Sequence, residues 1–262
     1  MSYGTLTVET ADRITRITLN MPDRLNAANG EMHRELSEAF AEVGRSPDSD
    51  VVVLTGAGKA FCAGGDLEWI ESMIAQPGKF ETILEEAKAI VIGALGMPKP
   101  MIGRLNGDAI GLGATLALCC DMLVATDSAR FGDPHVRVGL VAGDGASVML
   151  PQMIGYMKAR ELLLLGGVID AAEAYRIGLY NHVVAADELD PKVDDMADKL
   201  ARGATRAIRY TKLAVNKELV KLATEKMDML MAYEALSANH PHHAEAIRAM
   251  REKRRPDFGG AA

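Results

Sequence analysis

Phe61-Cys62-Ala63-Gly64-Gly65-Asp66 and Asn106-Gly107-Asp108-Ala109-Ile110-Gly111-Leu112-Gly113 are two glycine-rich turns, and their flanks decide the fold. Ahead of the first stands Val51-Val52-Val53-Leu54, a β-branched run that ends at Gly56. That composition fits a strand buried on both faces. After the turn, the sequence from Leu67 reads as a helix. The second turn repeats the order. A strand is predicted over 100–106, then the turn, then a helix over 114–120 and another buried strand over 122–125. Strand, turn and helix in alternation predict an α/β protein. Glycine lets backbone approach a ligand closely, and a helix start offers free N–H groups. Two such turns side by side would aim two donors at one oxygen, as in an oxyanion hole. On glycine content alone, two plain tight turns are an equally good reading.

Working outward, Ile14 to Leu19 alternates polar and apolar, as a strand does. Asn29 to Val43 carries Met32, Leu36, Phe40 and Val43 on one side of an amphipathic helix. From Leu189 onward the chain is rich in Ala, Lys, Glu and Met and reads as several helices. Met227, Leu230, Met231 and Ala235 form an apolar stripe there that needs cover, from the chain's own core or from a neighbouring subunit. Lys212, Lys217, Lys221 and Lys226 read as a solvated helix face.

The bulk numbers narrow the function classes. A chain of 262 residues, 48% hydrophobic, is long enough for one large domain with a full core. A net charge of −7 disfavours a nucleic-acid surface. Cys62, Cys119 and Cys120 are odd in number and lack zinc-site spacing, which fits a reducing cytoplasm. The opening Met1-Ser2-Tyr3-Gly4 does not look like the start of a secretion signal. Pro98 and Pro100 interrupt the best candidate for a membrane span. His240, His242 and His243 cluster without a matching carboxylate pattern, so no metal is expected there.

The two turns also carry a family resemblance. Residues 61–67 resemble the first signature of the crotonase (enoyl-CoA hydratase/isomerase) superfamily, and residues 106–113, running on through Leu116 to Asp121, resemble the second. Pro22-Asp23-Arg24-Leu25-Asn26-Ala27 is similar to the family's early CoA-binding loop, and residues 251–258 to its C-terminal ending. The resemblance implies a spiral of ββα turns over residues 1–200 and a helical oligomerisation region over 201–262. It implies an acyl-CoA substrate, no separate cofactor, and a homotrimer or hexamer. It assigns the oxyanion-hole donors to the N–H groups of Gly65 and Leu112. Arg24 and Lys253 become candidates for the nucleotide end of CoA. Ala63, Asp66, Leu67 and Trp69 become candidates for the substrate pocket, with Met73 further along the same helix.

Two positions depart from that pattern. Hydratases of the family use two glutamates, as general base and general acid, to handle one water. Thr115 and His135 stand at those places. Ordinary hydratase activity is therefore not expected. His135 is followed nine residues later by Asp144, and a His–Asp pair can activate water or carry a proton. The pattern resembles the oxocamphor-hydrolase-like members, which cleave carbon–carbon bonds in β-diketones. Three readings stay open: an acyl-CoA enzyme using His135 and Asp144, a β-diketone hydrolase, and a non-catalytic acyl-CoA-binding protein.

Overall fold

The structure, a computed structural model, describes residues 3–76, 78 and 80–259. Met1 and Ser2, part of the opening stretch of the sequence, lie outside them. Strand β1 (Leu6–Ala11), which the sequence pattern does not announce, pairs antiparallel with β2 (Ile14–Leu19). Asp12 and Arg13 join them with φ of 49° and 66°. Two successive left-handed residues make the tight hairpin turn that suits twisted strands. From β2 the sheet runs on in parallel through β3 (Val51–Gly56), β4 (Met101–Leu105), β6 (Met122–Thr126) and β9 (His182–Val184), six strands in all.

Alternation along the central strands feeds two apolar layers. Val51 and Val53 of β3, with Ile102 and Val124, pack against Leu189, Val193 and Ala197 of helix α8 (Leu189–Ala201). Val52 and Leu54 face the larger core, with Met32, Leu36 and Phe40 of α1 (Gly30–Arg45) and Ile90 and Val91 of α3 (Phe80–Gly96). Helix α1 starts where expected because Asn29 caps it, its side chain accepting from Met32 N–H at 2.9 Å. A second sheet of three short strands, β5 (Ala109–Ile110), β7 (Arg130–Gly132) and β8 (Val168–Asp170), lies under the second glycine turn. The α/β expectation holds.

The C-terminal third is helical, with α9 (Thr205–Val215), α10 (Lys217–Ala238) and α11 (Pro241–Arg251). The stripe on α10 does not wait for a neighbour. Ala223, Met227, Leu230 and Met231 are buried in the same core as β3 and α1. The opposite face of α10 is the open one, with Met229, Tyr233 and Leu236 exposed. Lys212 also departs from its reading as a solvated residue. It is buried, with Nζ 2.8 Å from Asp121 and donating to Lys99 O at 2.8 Å. Asp121 in turn accepts from Met101 N–H at 2.7 Å and from Asn216 at 3.1 Å. This polar knot ties α9 to the starts of the inner strands β4 and β6.

Candidate active site

The two glycine turns meet backbone to backbone. Gly64 (φ 102°) and Gly111 (φ 56°) both adopt left-handed conformations. A Cβ on Gly64 would stand 3.2 Å from Ile110 O, and one on Gly111 would stand 3.5 Å from Gly64 Cα. Only glycine permits both the dihedrals and the approach. The pairing of the strand ends then decides which N–H groups stay free. Ala28 donates to Gly64 O at 2.7 Å and accepts from Asp66 N–H at 2.8 Å, forming a parallel bridge to Gly65. Gly65's own N–H therefore points to the other side. Gly111 N–H is taken by Gly132 O at 2.9 Å, while Leu112 opens α4 (Leu112–Leu118), where no intrahelical acceptor exists.

Both residues line a cavity of about 310 Å³. Ala63, Leu67, Trp69, Ile70 and Met73 form one wall, and Met231, His243, Ile247 and Met250 of the C-terminal helices form another. Asp66 does not line it. Instead Asp66 caps α2 (Leu67–Ala75), accepting from Glu68 and Trp69 N–H at 3.0 and 3.1 Å. Arg24 is half-exposed and held by Asp66 at 2.8 Å and Glu68 at 3.0 Å. An incoming phosphate would compete with those two carboxylates. Lys253 is exposed and lies outside the cavity lining. Arg251 bonds Glu71 at 2.6–2.7 Å, fastening α11 to α2 across the cavity rim.

The cavity floor is ionisable. His135 and Asp144 both reach it, as the sequence suggests, but the ring's partner differs from that reading. His135 Nδ1 is hydrogen-bonded to Asp133, which also accepts from His135 N–H at 3.2 Å. Asp144 stands at the other ring nitrogen, its Oδ2 4.0 Å from Nε2, beyond hydrogen-bond reach. Asp133 lies two residues before His135 in the chain. Glu234 on α10, hidden in the helical tail, completes the cluster with no local signal. Thr115 Oγ1 and one oxygen each of Asp133, Asp144 and Glu234 are buried with no hydrogen-bond partner among the described residues.

This arrangement shifts protonation. Burial alone would lower the His135 pKa, but Asp133 and Asp144 overcome it and raise the pKa well above the usual imidazole range. Burial raises the pKa of Asp144, helped by Asp133 and opposed by the His135 charge. Glu234 is pushed up to about 8, by burial first and then by Asp144 and Asp133, against the pull of His135. At neutral pH the floor thus combines an imidazolium with acids that hold protons unusually well. Asp133, His135 and Asp144 also lie close enough together to offer three ligand atoms to one cation. Among the described residues the His240 cluster forms no such group: His240 caps α11, and His243 Nδ1 bonds Val138 O at 2.6 Å.

The family profile described as enoyl-CoA hydratase/isomerase matches residues 9–261. The chain belongs to the enoyl-CoA hydratase/isomerase family. A probable enoyl-CoA hydratase of Mycobacterium leprae is 35% identical, over 98% of this chain and 99% of its own length. A crotonyl-CoA hydratase of Syntrophomonas wolfei is 33% identical over the same shares. A 1,2-epoxyphenylacetyl-CoA isomerase of Escherichia coli is 32% identical, over 94% and 95%. Among solved structures, an enoyl-CoA hydratase/isomerase from Mycobacterium paratuberculosis superposes with a TM-score of 0.91 at 30% identity, covering 95% of this chain and 99% of that one. The fold is therefore that of the crotonases. Family members named for hydration and for isomerisation both fall within this range of similarity. Among the described residues no helix is long and apolar enough to cross a membrane. All three cysteines are free and buried, and burial pushes the Cys62 thiol up to about 12, which leaves it unreactive.

Proposed function

We propose that this enoyl-CoA hydratase/isomerase-family enzyme moves a proton at the carbon beside an acyl-CoA thioester, with His135 and Asp144 in place of the family's two glutamates. The thioester oxygen would sit between the N–H groups of Gly65 and Leu112, where charge develops as the enolate forms. His135 enters the reaction as the proton donor, because the flanking carboxylates keep its ring charged. Asp133 fixes the ring by Nδ1 and leaves Nε2 toward the cavity. Asp144 is the matching base, since burial makes its carboxylate more basic than usual. A water about 2.8 Å from each could bridge the 4.0 Å gap between Nε2 and Asp144. One acid and one base around such a water suit proton transfer in the rearrangement of an enoyl thioester. The observation that carries the reading is the Asp133–His135–Asp144 cluster at the foot of the two glycine turns.

The test is exchange of the α-protons of butyryl-CoA in deuterated water, followed by mass spectrometry. Wild type should incorporate deuterium, and His135→Asn and Asp144→Asn should each slow it by about a hundred to ten thousand fold. Exchange that both variants leave at the wild-type rate would refute the assignment. A second reading, hydrolysis of a β-diketone by a His-activated water, draws on the Asp133–His135 hydrogen bond. It predicts turnover of free cyclic diketones and no requirement for CoA.

A further inference from the structure

A second histidine–carboxylate pair faces the same cavity from another wall. His33, in the first turn of α1, is buried with only 4% of its side chain exposed, and its Nδ1 lies 2.6 Å from Glu86 Oε2 on α3. Its ring stands beside Trp69, centroids 5.6 Å apart, and both side chains line the cavity. A carboxylate oxygen only accepts, so Glu86 fixes the proton on Nδ1. That leaves Nε2 as the ring's remaining polar atom. Among the described residues Nε2 has no hydrogen-bond partner, although the ring borders the cavity. The nitrogen therefore stands at a ligand cavity with no protein partner, and a ligand that displaces solvent from it must supply one. Ala63, Leu67, Ile70, Met73, Ile83 and Ala87 of the lining are apolar, and Asp144, near enough to interact with His33 electrostatically, forms no hydrogen bond with it among the described residues.

We propose that His33, oriented by Glu86, is a second polar subsite that takes an oxygen on the acyl chain, so that the physiological thioester bears a hydroxyl or a carbonyl beyond its own thioester group. The inference rests on the thioester reading above and adds the substrate class. Nε2 of the neutral ring accepts a hydrogen bond and so fits a hydroxyl. Nε2–H of the charged ring donates one and so fits a carbonyl. A plain saturated or enoyl chain would leave Nε2 unpaired and dehydrated, and the site would then disfavour it. Discrimination by a site built to hydrogen-bond a substrate oxygen is stronger than discrimination by methylene count.

The test is isothermal titration with hexanoyl-CoA and with its 3-, 4- and 5-hydroxy and 3-, 4- and 5-oxo forms, on wild type and on His33→Leu. Wild type should bind at least one oxygenated form about tenfold more tightly than hexanoyl-CoA. His33→Leu should bring that ratio to about one. A hydroxy form that outbinds its oxo counterpart identifies Nε2 as acceptor, and an oxo form that binds as well as its hydroxy counterpart or better identifies it as donor. The ¹⁵N resonance of His33 Nε2 in wild type gives a second readout that does not depend on a folded variant. It should respond differently to the preferred ligand, which hydrogen-bonds the nitrogen, than to hexanoyl-CoA, which dehydrates it. Equal affinity for all seven thioesters, a preference that survives His33→Leu, or a resonance that moves equally with both ligands overturns the subsite and leaves the thioester reading standing. Absence of binding by every thioester overturns both.

Discussion

Replacing Glu234 by glutamine isolates one proton in the active-site floor. Glu234 is buried on α10, its Oε2 has no hydrogen-bond partner among the described residues, and its carboxyl group is pushed up from 4.5 to about 8. The folded state thus prefers the neutral acid. A raised pKa contributes stability that is fully present below the unfolded value, near 4.5, and is lost as pH climbs through about 8. Glutamine is neutral throughout and has nearly the same shape. Every tenfold change in a protonation equilibrium corresponds to about 1.4 kcal/mol. The value of about 8 already includes the compensating His135 charge, so the wild type should lose on the order of 4 kcal/mol relative to Glu234→Gln between pH 4.5 and 8. For a chain of this size that is on the order of 10 °C in Tm. The assay is thermal unfolding of both proteins from pH 5 to 8.5, read as the difference between the two Tm curves. Other titrating groups are common to both and largely cancel. Any constant offset from the buried amide does not vary with pH. The variant should gain on the wild type steadily as pH rises. A difference that stays flat would mean that Glu234 is ionised across the range, and the account of the floor as a proton store would fall.

Asp121→Ala should destabilise the protein by about 3–5 kcal/mol, because Lys212 would remain buried without its carboxylate; urea unfolding measures this, and a loss below about 1 kcal/mol would mean the knot is solvated. Crotonyl-CoA hydration should run at least about a hundredfold below the rate of a two-glutamate hydratase assayed beside it, since the Thr115 hydroxyl is a poor base; equal rates would show that the His135 cluster substitutes fully for the missing carboxylates. Light scattering should find a trimer or hexamer, because Met157, Leu164 and Leu165 on α6 (Tyr156–Leu165) are each more than two-thirds exposed, and Tyr175 and Tyr233 are also open. Leu164→Lys with Leu165→Lys should then shift the protein to a smaller species, and a wild-type monomer at micromolar concentration would refute the expectation.

The sequence by itself determined the architecture and the place of the site. Buried strands announce themselves through runs such as Val51-Val52-Val53-Leu54, since a strand covered on both faces has no polar positions to spare. The glycine turns are equally legible, because the left-handed backbone at Gly64 and Gly111 favours glycine there. Strand β1 escaped because a short edge strand owes its pairing to β2 more than to its own pattern. What the tertiary structure alone decided is which charges share a dielectric. Asp133 rather than Asp144 holds the His135 ring, Glu234 arrives from a helix ninety-nine residues further along the chain, and Glu86 reaches His33 across fifty-three. The contacts of Glu234 and Glu86 leave no local signature. Helix faces are read by their apolar periodicity, and a single polar residue on such a face is silent until packing shows what it touches. Lys212 is the plainest case: its spacing says solvent, and the fold places it against Asp121 inside the protein. Protonation follows burial and neighbouring charge, and both exist only once the chain has closed on itself.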